Sequence, residues 1–167
     1  MIATQTSRGQ LSMPDTLLAV TIFLLILAGM FFYQNQISSA TETELERRAL
    51  DNSASNIAEF LIKNPGSPVA WETLSDFNTV VFFGLAQKDR VLDADKVVAF
   101  VNLSNTDYDF VKQKLGISHF NFYLQFSGGV NLSTGQLPPI NAHISVVKRF
   151  VTINGNETTV ALSVYDD

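Results

Sequence analysis

Residues Leu17–Tyr33 read LLAVTIFLLILAGMFFY. The polar groups in this run are the Thr21 and Tyr33 hydroxyls, and no Asp, Glu, Lys or Arg occurs from Thr16 through Thr41. A helix that crosses a bilayer needs roughly 17–25 apolar residues, and extension to residues 14–36 brings the stretch into that range. A buried core helix is seldom apolar on every face, and the rest of a 167-residue chain is too small to wrap one. A cleaved secretory signal has an apolar region of roughly 7–15 residues ending at a small-residue site. Here bulky Met30, Phe31, Phe32 and Tyr33 directly follow Ala28-Gly29. The stretch is expected to be a single transmembrane helix.

On its C-terminal side the character changes. Residues 41–63, TETELERRALDNSASNIAEFLIK, are amphipathic, with Leu50, Ala54, Ile57, Ala58 and Leu61 at the spacing of one helical face. Glu44 precedes Arg47 and Arg48 by three and four residues, a spacing that supports an exposed helical face. No proline or glycine interrupts Met30 to Lys63, and Asn64-Pro65-Gly66-Ser67-Pro68 then stops the helix. Three parts follow: a leader over 1–9, a long N-terminal helix over 10–63 with its transmembrane segment at 14–36, and an α+β head over 64–167. The continuous helix would be on the order of 75–80 Å long at 1.5 Å per residue, so its second half would project from the membrane and carry the head.

Within the head, Thr79–Leu85 reads as a short strand, Asp93 as the cap of a helix over Ala94–Val101, and Asn105 or Thr106 as the cap of another that Gly116 ends. His119–Phe126 places Phe120, Phe122, Leu124 and Phe126 on one face with a period of two. Residues 142–153 and 158–165 flank Asn154-Gly155, a strong two-residue hairpin signal. The expected head is a small antiparallel sheet with short helices. Its apolar face would be buried on the amphipathic half of the long helix, where Leu50, Ile57 and Leu61 meet residues such as Phe122 and Val160.

Composition narrows the chemistry. With no cysteine, disulfides, thiolate metal sites and cysteine nucleophiles are excluded, and the head must be held by packing. A net charge of −5 without a basic cluster argues against nucleic acid as a partner. His119 and His143, the two histidines, lie in different expected strands, and Asp89, Asp93 and Asp95 lack the glycine and terminal glutamate of a calcium loop. No nucleophile elbow is present. No catalytic residue, metal site or cofactor is expected, and Trp71 reads as a core anchor. Asn102-Leu103-Ser104, Asn131-Leu132-Ser133 and Asn156-Glu157-Thr158 are N-x-S/T sequons, so Asn102, Asn131 and Asn156 are candidate N-glycosylation sites.

Just before the apolar helix stands Arg8-Gly9-Gln10-Leu11-Ser12. This resembles the class III signal peptide of archaeal type IV pilin-like proteins, in which a basic residue and Gly precede Gln, with Ser two beyond it. The resemblance implies that a prepilin peptidase cuts between Gly9 and Gln10. The mature chain would then keep its apolar helix, the reverse of ordinary secretory processing. The family usually carries Glu at the fifth mature position; here that position is Pro14, and the acid is Asp15. A new ammonium buried among apolar helices needs a counter-charge, which Asp15 could supply within the chain or toward a neighbouring subunit. Ser12-Met13-Pro14-Asp15 also fits plain helix capping. The head is similar to archaeal pilin-like proteins at Asn64-Pro65-Gly66, Trp71, Gly84-Leu85-Ala86, Val91-Leu92-Asp93, Lys96-Val97, Leu115-Gly116-Ile117 and Phe122-Tyr123.

The resemblance implies a non-enzymatic structural subunit, minor rather than major, of a type IV pilus-like filament or envelope assembly. Its partners would be membrane lipid, the peptidase and other pilin-like subunits met through the N-terminal helix. It would sit in the cell membrane as a single-pass protein with an extracellular head, or be built into a surface filament. The alternative is a surface protein that stays in the membrane as a monomer and binds a partner with its head.

Overall fold

The computed structural model describes residues 13–166, with the backbone alone for 13 and 35–43. The chain is α+β: an N-terminal helix, apolar in its first half, and a six-stranded mixed sheet. It divides into two compact units, with the boundary inside the helix between Leu45 and Glu46.

Helix α1 is Met13–Lys63. In the second unit Leu50, Ala54, Ile57, Ala58, Leu61 and Ile62 are all buried, a stripe that follows from their three- and four-residue spacing. They share one apolar cluster with Phe122, Leu124, Val160 and Leu162. The helix ends where Pro65 offers no N–H and Gly66 takes a left-handed φ of +89°. The carbonyls left over in the last turn are used by a distant segment. Leu85 N–H donates to Leu61 O (2.9 Å), Arg90 N–H to Ile62 O (3.2 Å) and Ala86 N–H to Asn64 O (3.0 Å).

These bonds explain why Thr79–Leu85 is not the expected strand. Phe77–Thr79 is a 3₁₀ turn, and the following stretch makes a single bridge, Ser67 to Phe82. The Leu85 N–H is spent on the helix end instead of a ladder. Val80, Phe83 and Leu85 are buried, so the apolar run signalled burial, which a strand and an extended loop share.

The short strands β1 (Ala86–Lys88) and β2 (Val91–Leu92) follow, then α2 (Ala94–Thr106) and α3 (Tyr108–Lys114). Asp93 caps α2 as expected, accepting from Asp95 N (2.9 Å) and Lys96 N (3.5 Å). The helix runs past Val101 to Thr106. The cap of α3 is Asp107, which accepts from Phe110 N (3.1 Å), rather than Asn105 or Thr106. Those two are engaged elsewhere: Thr106 Oγ1 donates to Asn102 O (2.8 Å), and Asn105 Oδ1 accepts from Thr134 Oγ1 (2.9 Å). At the far end Gly116 takes φ +74°. Gly116 N–H donates to Gln113 O and Ile117 N–H to Lys112 O, the paired bonds of a glycine-terminated helix.

The remaining strands are β3 (Asn121–Gly128), β4 (Leu132–Gly135), β5 (His143–Ile153) and β6 (Asn156–Asp166), in the order β1-β2-β5-β6-β3-β4. Phe122, Leu124 and Phe126 are buried on one face, as their alternation requires. Residues β5 and β6 pair from His143↔Asp166 to Ile153↔Asn156. Asn154 (φ 50°) and Gly155 (φ 81°) make the tight turn. The sheet is not purely antiparallel as expected: β2 runs parallel to β5 through Val91↔Thr152 and Leu92↔Ile153. A parallel pair needs a long crossover, and here α2, α3, β3 and β4 lie between the two strands in the chain.

Candidate functional site

Two surfaces of the described residues stand out, one in each unit. The first is the apolar half of α1. Pro14–Gln34 is long and apolar enough to cross a membrane, with a mean hydropathy of 2.4 and none of it buried. Large side chains are exposed all round it, among them Leu18, Phe23, Leu25 and Phe32. A helix apolar on every face has no solvated side to turn outward. At roughly 1.5–3 kcal/mol for each large side chain removed from water, water is an unfavourable surrounding for it, which is compatible with a transmembrane helix. Thr21, the polar residue in its middle, donates its hydroxyl to Leu17 O (2.8 Å), so the helix satisfies this group internally. Asp15 lies in the first turn, where a carboxylate meets the positive end of the helix. Gly9, Gln10 and Ser12, the expected processing residues, lie outside the described residues.

The second is the open side of β5. Its partner on that side covers only Thr152 and Ile153. Thr152 N–H donates outward to Arg90 O (2.9 Å). By the alternation of an antiparallel ladder, the main-chain groups of Ile144, Val146, Lys148 and Phe150 also face outward, away from β6. Three of these residues expose apolar side chains: Ile144, Val146 and Phe150, the last 80% accessible. Sequence reasoning missed this row. Its signal was present in a strand apolar on both alternating faces, at Ile144, Val146 and Phe150 as well as at Val147 and Val151.

Between these surfaces in sequence lies the knot that joins the helix end to the head. Trp71 is fully buried, and its Nε1 donates to Gly84 O (2.9 Å). Its ring meets Phe83 edge-on at 4.9 Å. Gly84 packs so tightly that a Cβ there would stand 2.2 Å from Asn64 O. Lys96, only 4% exposed, donates to Pro65 O (2.7 Å). Sequence reasoning did not assign a role to this lysine. The Asn64-Pro65-Gly66, Trp71, Gly84 and Lys96 landmarks thus converge on one structural fastening. Nearby, Ile57, Phe60, Phe82 and Leu115 line an open groove of about 340 Å³.

Glu59 on α1 ties the helix to Arg149 on β5. It lies 2.6 Å from both Lys63 Nζ and Arg149 Nε. Hydrogen bonds from Lys63 and then Arg149 bring its pKa down to about 2.

The titratable candidates are dispersed. His119 precedes β3 and His143 opens β5, and β6 lies between those two strands. Asp93 is committed as a helix cap. Among the described residues, no group of three or more His, Asp or Glu is placed to hold a metal ion. The three sequon asparagines are exposed: Asn102 on α2, Asn131 between β3 and β4, and Asn156 at the start of β6.

A family model matches residues 6–165, nearly the whole chain. The chain belongs to DUF7287. This is a family of unknown function. No curated protein and no solved structure matches the chain. The DUF7287 match runs through the apolar helix, the fastening around Trp71 and the β5–β6 hairpin, so all three are parts of one family unit.

Proposed function

We propose that this DUF7287 protein is a pilin-like structural subunit, minor rather than major, of an archaeal type IV pilus-like filament or related envelope assembly. The observation that carries the reading is the apolar half of α1, exposed on every side over Pro14–Gln34. It follows directly on the Arg8-Gly9-Gln10-Leu11-Ser12 motif. Cleavage between Gly9 and Gln10 would leave this helix on the mature chain, so one segment would serve first as a membrane anchor and then as an assembly surface. Asp15 would neutralise the new N-terminal ammonium. The amphipathic half of α1, packed with the small sheet, would present the head outside the cell. The protein has no catalytic role in this reading. Its partners are membrane lipid, a prepilin peptidase and other pilin-like subunits.

Sequencing of the mature N-terminus and co-sedimentation with surface filaments test this. A start at Gln10 and recovery with filaments are expected. A mature chain starting at Met1 or Ile2 removes the reading. The row Ile144, Val146 and Phe150 favours a second reading: a single-span protein that never polymerises and binds a partner with its head. A chain that is processed or unprocessed but stays monomeric in detergent, absent from filaments, selects it.

A further inference from the structure

The three sequons differ in a way that exposure of the asparagine does not reveal. N-glycosyl transfer reads two groups at once: the asparagine amide and the hydroxyl two residues on. In α2 successive residues turn by about 100°, so Asn102 and Ser104 point to different sides. Asn102 faces solvent while Ser104 is 2% exposed, with its Oγ buried. In β6, Thr158 is 2% exposed, with its Oγ1 buried in the same way, and its backbone is paired on both sides, to Val151 and Gly128. Two of the three hydroxyls are closed off by the fold itself.

Asn131-Leu132-Ser133 is the exception. Asn131 and Ser133 are both exposed, and Leu132 between them turns toward the core. Asn131 lies outside the ladder, in the turn before β4, and β4 is the last strand of the sheet. One side of its backbone therefore pairs with no other strand of the sheet. The Asn131 Oδ1 accepts from Gly128 N–H (3.3 Å), so it is the oxygen of the amide, not its Nδ2, that this bond engages.

We infer that Asn131, alone among the three sequons, is N-glycosylated on the folded head. This rests on the proposed surface display, because the head must meet the transferase on the exported side. The donor is a sugar linked through phosphate to a polyprenyl lipid. The Asn131 Nδ2 attacks the anomeric carbon, and the bond from that carbon to the lipid phosphate oxygen breaks. The oxygen keeps the electron pair, the lipid phosphate leaves, and one Nδ2 proton passes to solvent. No oxidant or reductant is involved.

The full-length protein, expressed in a host that carries such a transferase, is tested by peptide mass spectrometry at all three sequons. Protease treatment of whole cells reports separately whether the head is outside. Glycan at Asn131, with occupancy at least about tenfold above Asn102 and Asn156, is expected. N131Q and S133A should each abolish the glycan and the matching gel shift, and S133T should keep it. An exported head bare at Asn131, or one with comparable occupancy at Asn102 or Asn156, overturns the inference and leaves surface display standing. A head that protease cannot reach on whole cells overturns both.

Discussion

Helix α1 carries two stretches with the same backbone and opposite surfaces. Residues 14–34 expose every side chain, whereas residues 46–63 bury a single stripe from Leu50 to Ile62. Hydrogen bonding along a helix is the same in both, so the difference lies in the side chains and what surrounds them. The first stretch has no period, as a helix with apolar surroundings on every side would have none. The second has the helical period because water lies on one side and the apolar core on the other. One element therefore answers to two solvents, and substitutions should divide cleanly according to which solvent they offend.

The largest effect is expected from charges in the first stretch. Each Lys or Arg at the centre of a spanning helix costs roughly 2.5–3.5 kcal/mol of insertion, so L24K combined with L25K should lose about 5–7 kcal/mol. Membrane fractionation should show the chain moving from the membrane pellet to soluble or aggregated material. The melting temperature of the head should stay unchanged. A loss of head stability in this variant would break the separation between the two stretches.

The mirror experiment is L61A. Leu61 is 2% exposed within the core, and removing a buried leucine costs about 2–5 kcal/mol. At roughly 4 °C per kcal/mol for a domain of this size, thermal unfolding should fall by about 8–20 °C. Membrane recovery should be unaffected.

How much of this division was legible in the sequence follows from the same physics. Leu50, Ala54, Ile57, Ala58 and Leu61 were readable because a helix on one apolar partner imposes a period on its own residues. Phe122, Leu124 and Phe126 were readable for the same reason with a period of two. The Asn154-Gly155 turn was legible because positive φ at two adjacent positions demands those residue types. What the sequence hid is non-local. Thr79–Leu85 looked like a strand because burial and pairing select the same side chains, and its Leu85 N–H turns out to serve a helix end some twenty residues earlier. The Asp107 cap was hidden because Asn105 and Thr106 are equally good caps until their side chains are seen engaged elsewhere. The two-residue parallel contact of β2 with β5 leaves no local pattern at all. For the candidate site, the apolar half of α1 was fully legible. The β5 row was not, because its exposure depends on what packs on that face of the sheet, which leaves no local pattern.

A third test compares glycines. A Cβ at Gly84 would meet Asn64 O and the Gly66 backbone nitrogen at 2.2 and 2.4 Å, and neither backbone atom has room to yield. G84A should cost about 1–3 kcal/mol, the range for a group forced into a filled site. It should loosen the junction of the helix end with the head, seen as faster amide exchange at Leu85 and Ala86. Gly29, in the apolar stretch, has nothing within 4 Å of a built Cβ. G29A should be neutral or stabilise the helix by up to about 1 kcal/mol. A G29A variant that inserts in the membrane but fails to assemble would sharpen the comparison, because it would show that a neighbouring helix approaches closely there.

The smallest effect belongs to the charges that join α1 to β5, and its sign is fixed by the direction of the pKa shift. The bonds from Lys63 and Arg149 hold Glu59 at about 2 in the folded head, below its value in an unfolded chain. The folded state thus favours the carboxylate, and the pair contributes stability above the ordinary glutamate range. That contribution is lost as pH falls through the interval between the unfolded value and about 2. Glu59 and Arg149 are each about 30% exposed, so solvent screening holds the contribution to under about 1 kcal/mol. Wild type and E59Q should therefore differ slightly in melting temperature at pH 7, and the difference should vanish toward pH 2. The R149Q variant should lose only part of the same pH dependence, because Lys63 still bonds the carboxylate. If E59Q retained the full acid sensitivity of the wild type, another carboxylate would have to be responsible, and Glu59 would be no more than a surface pair.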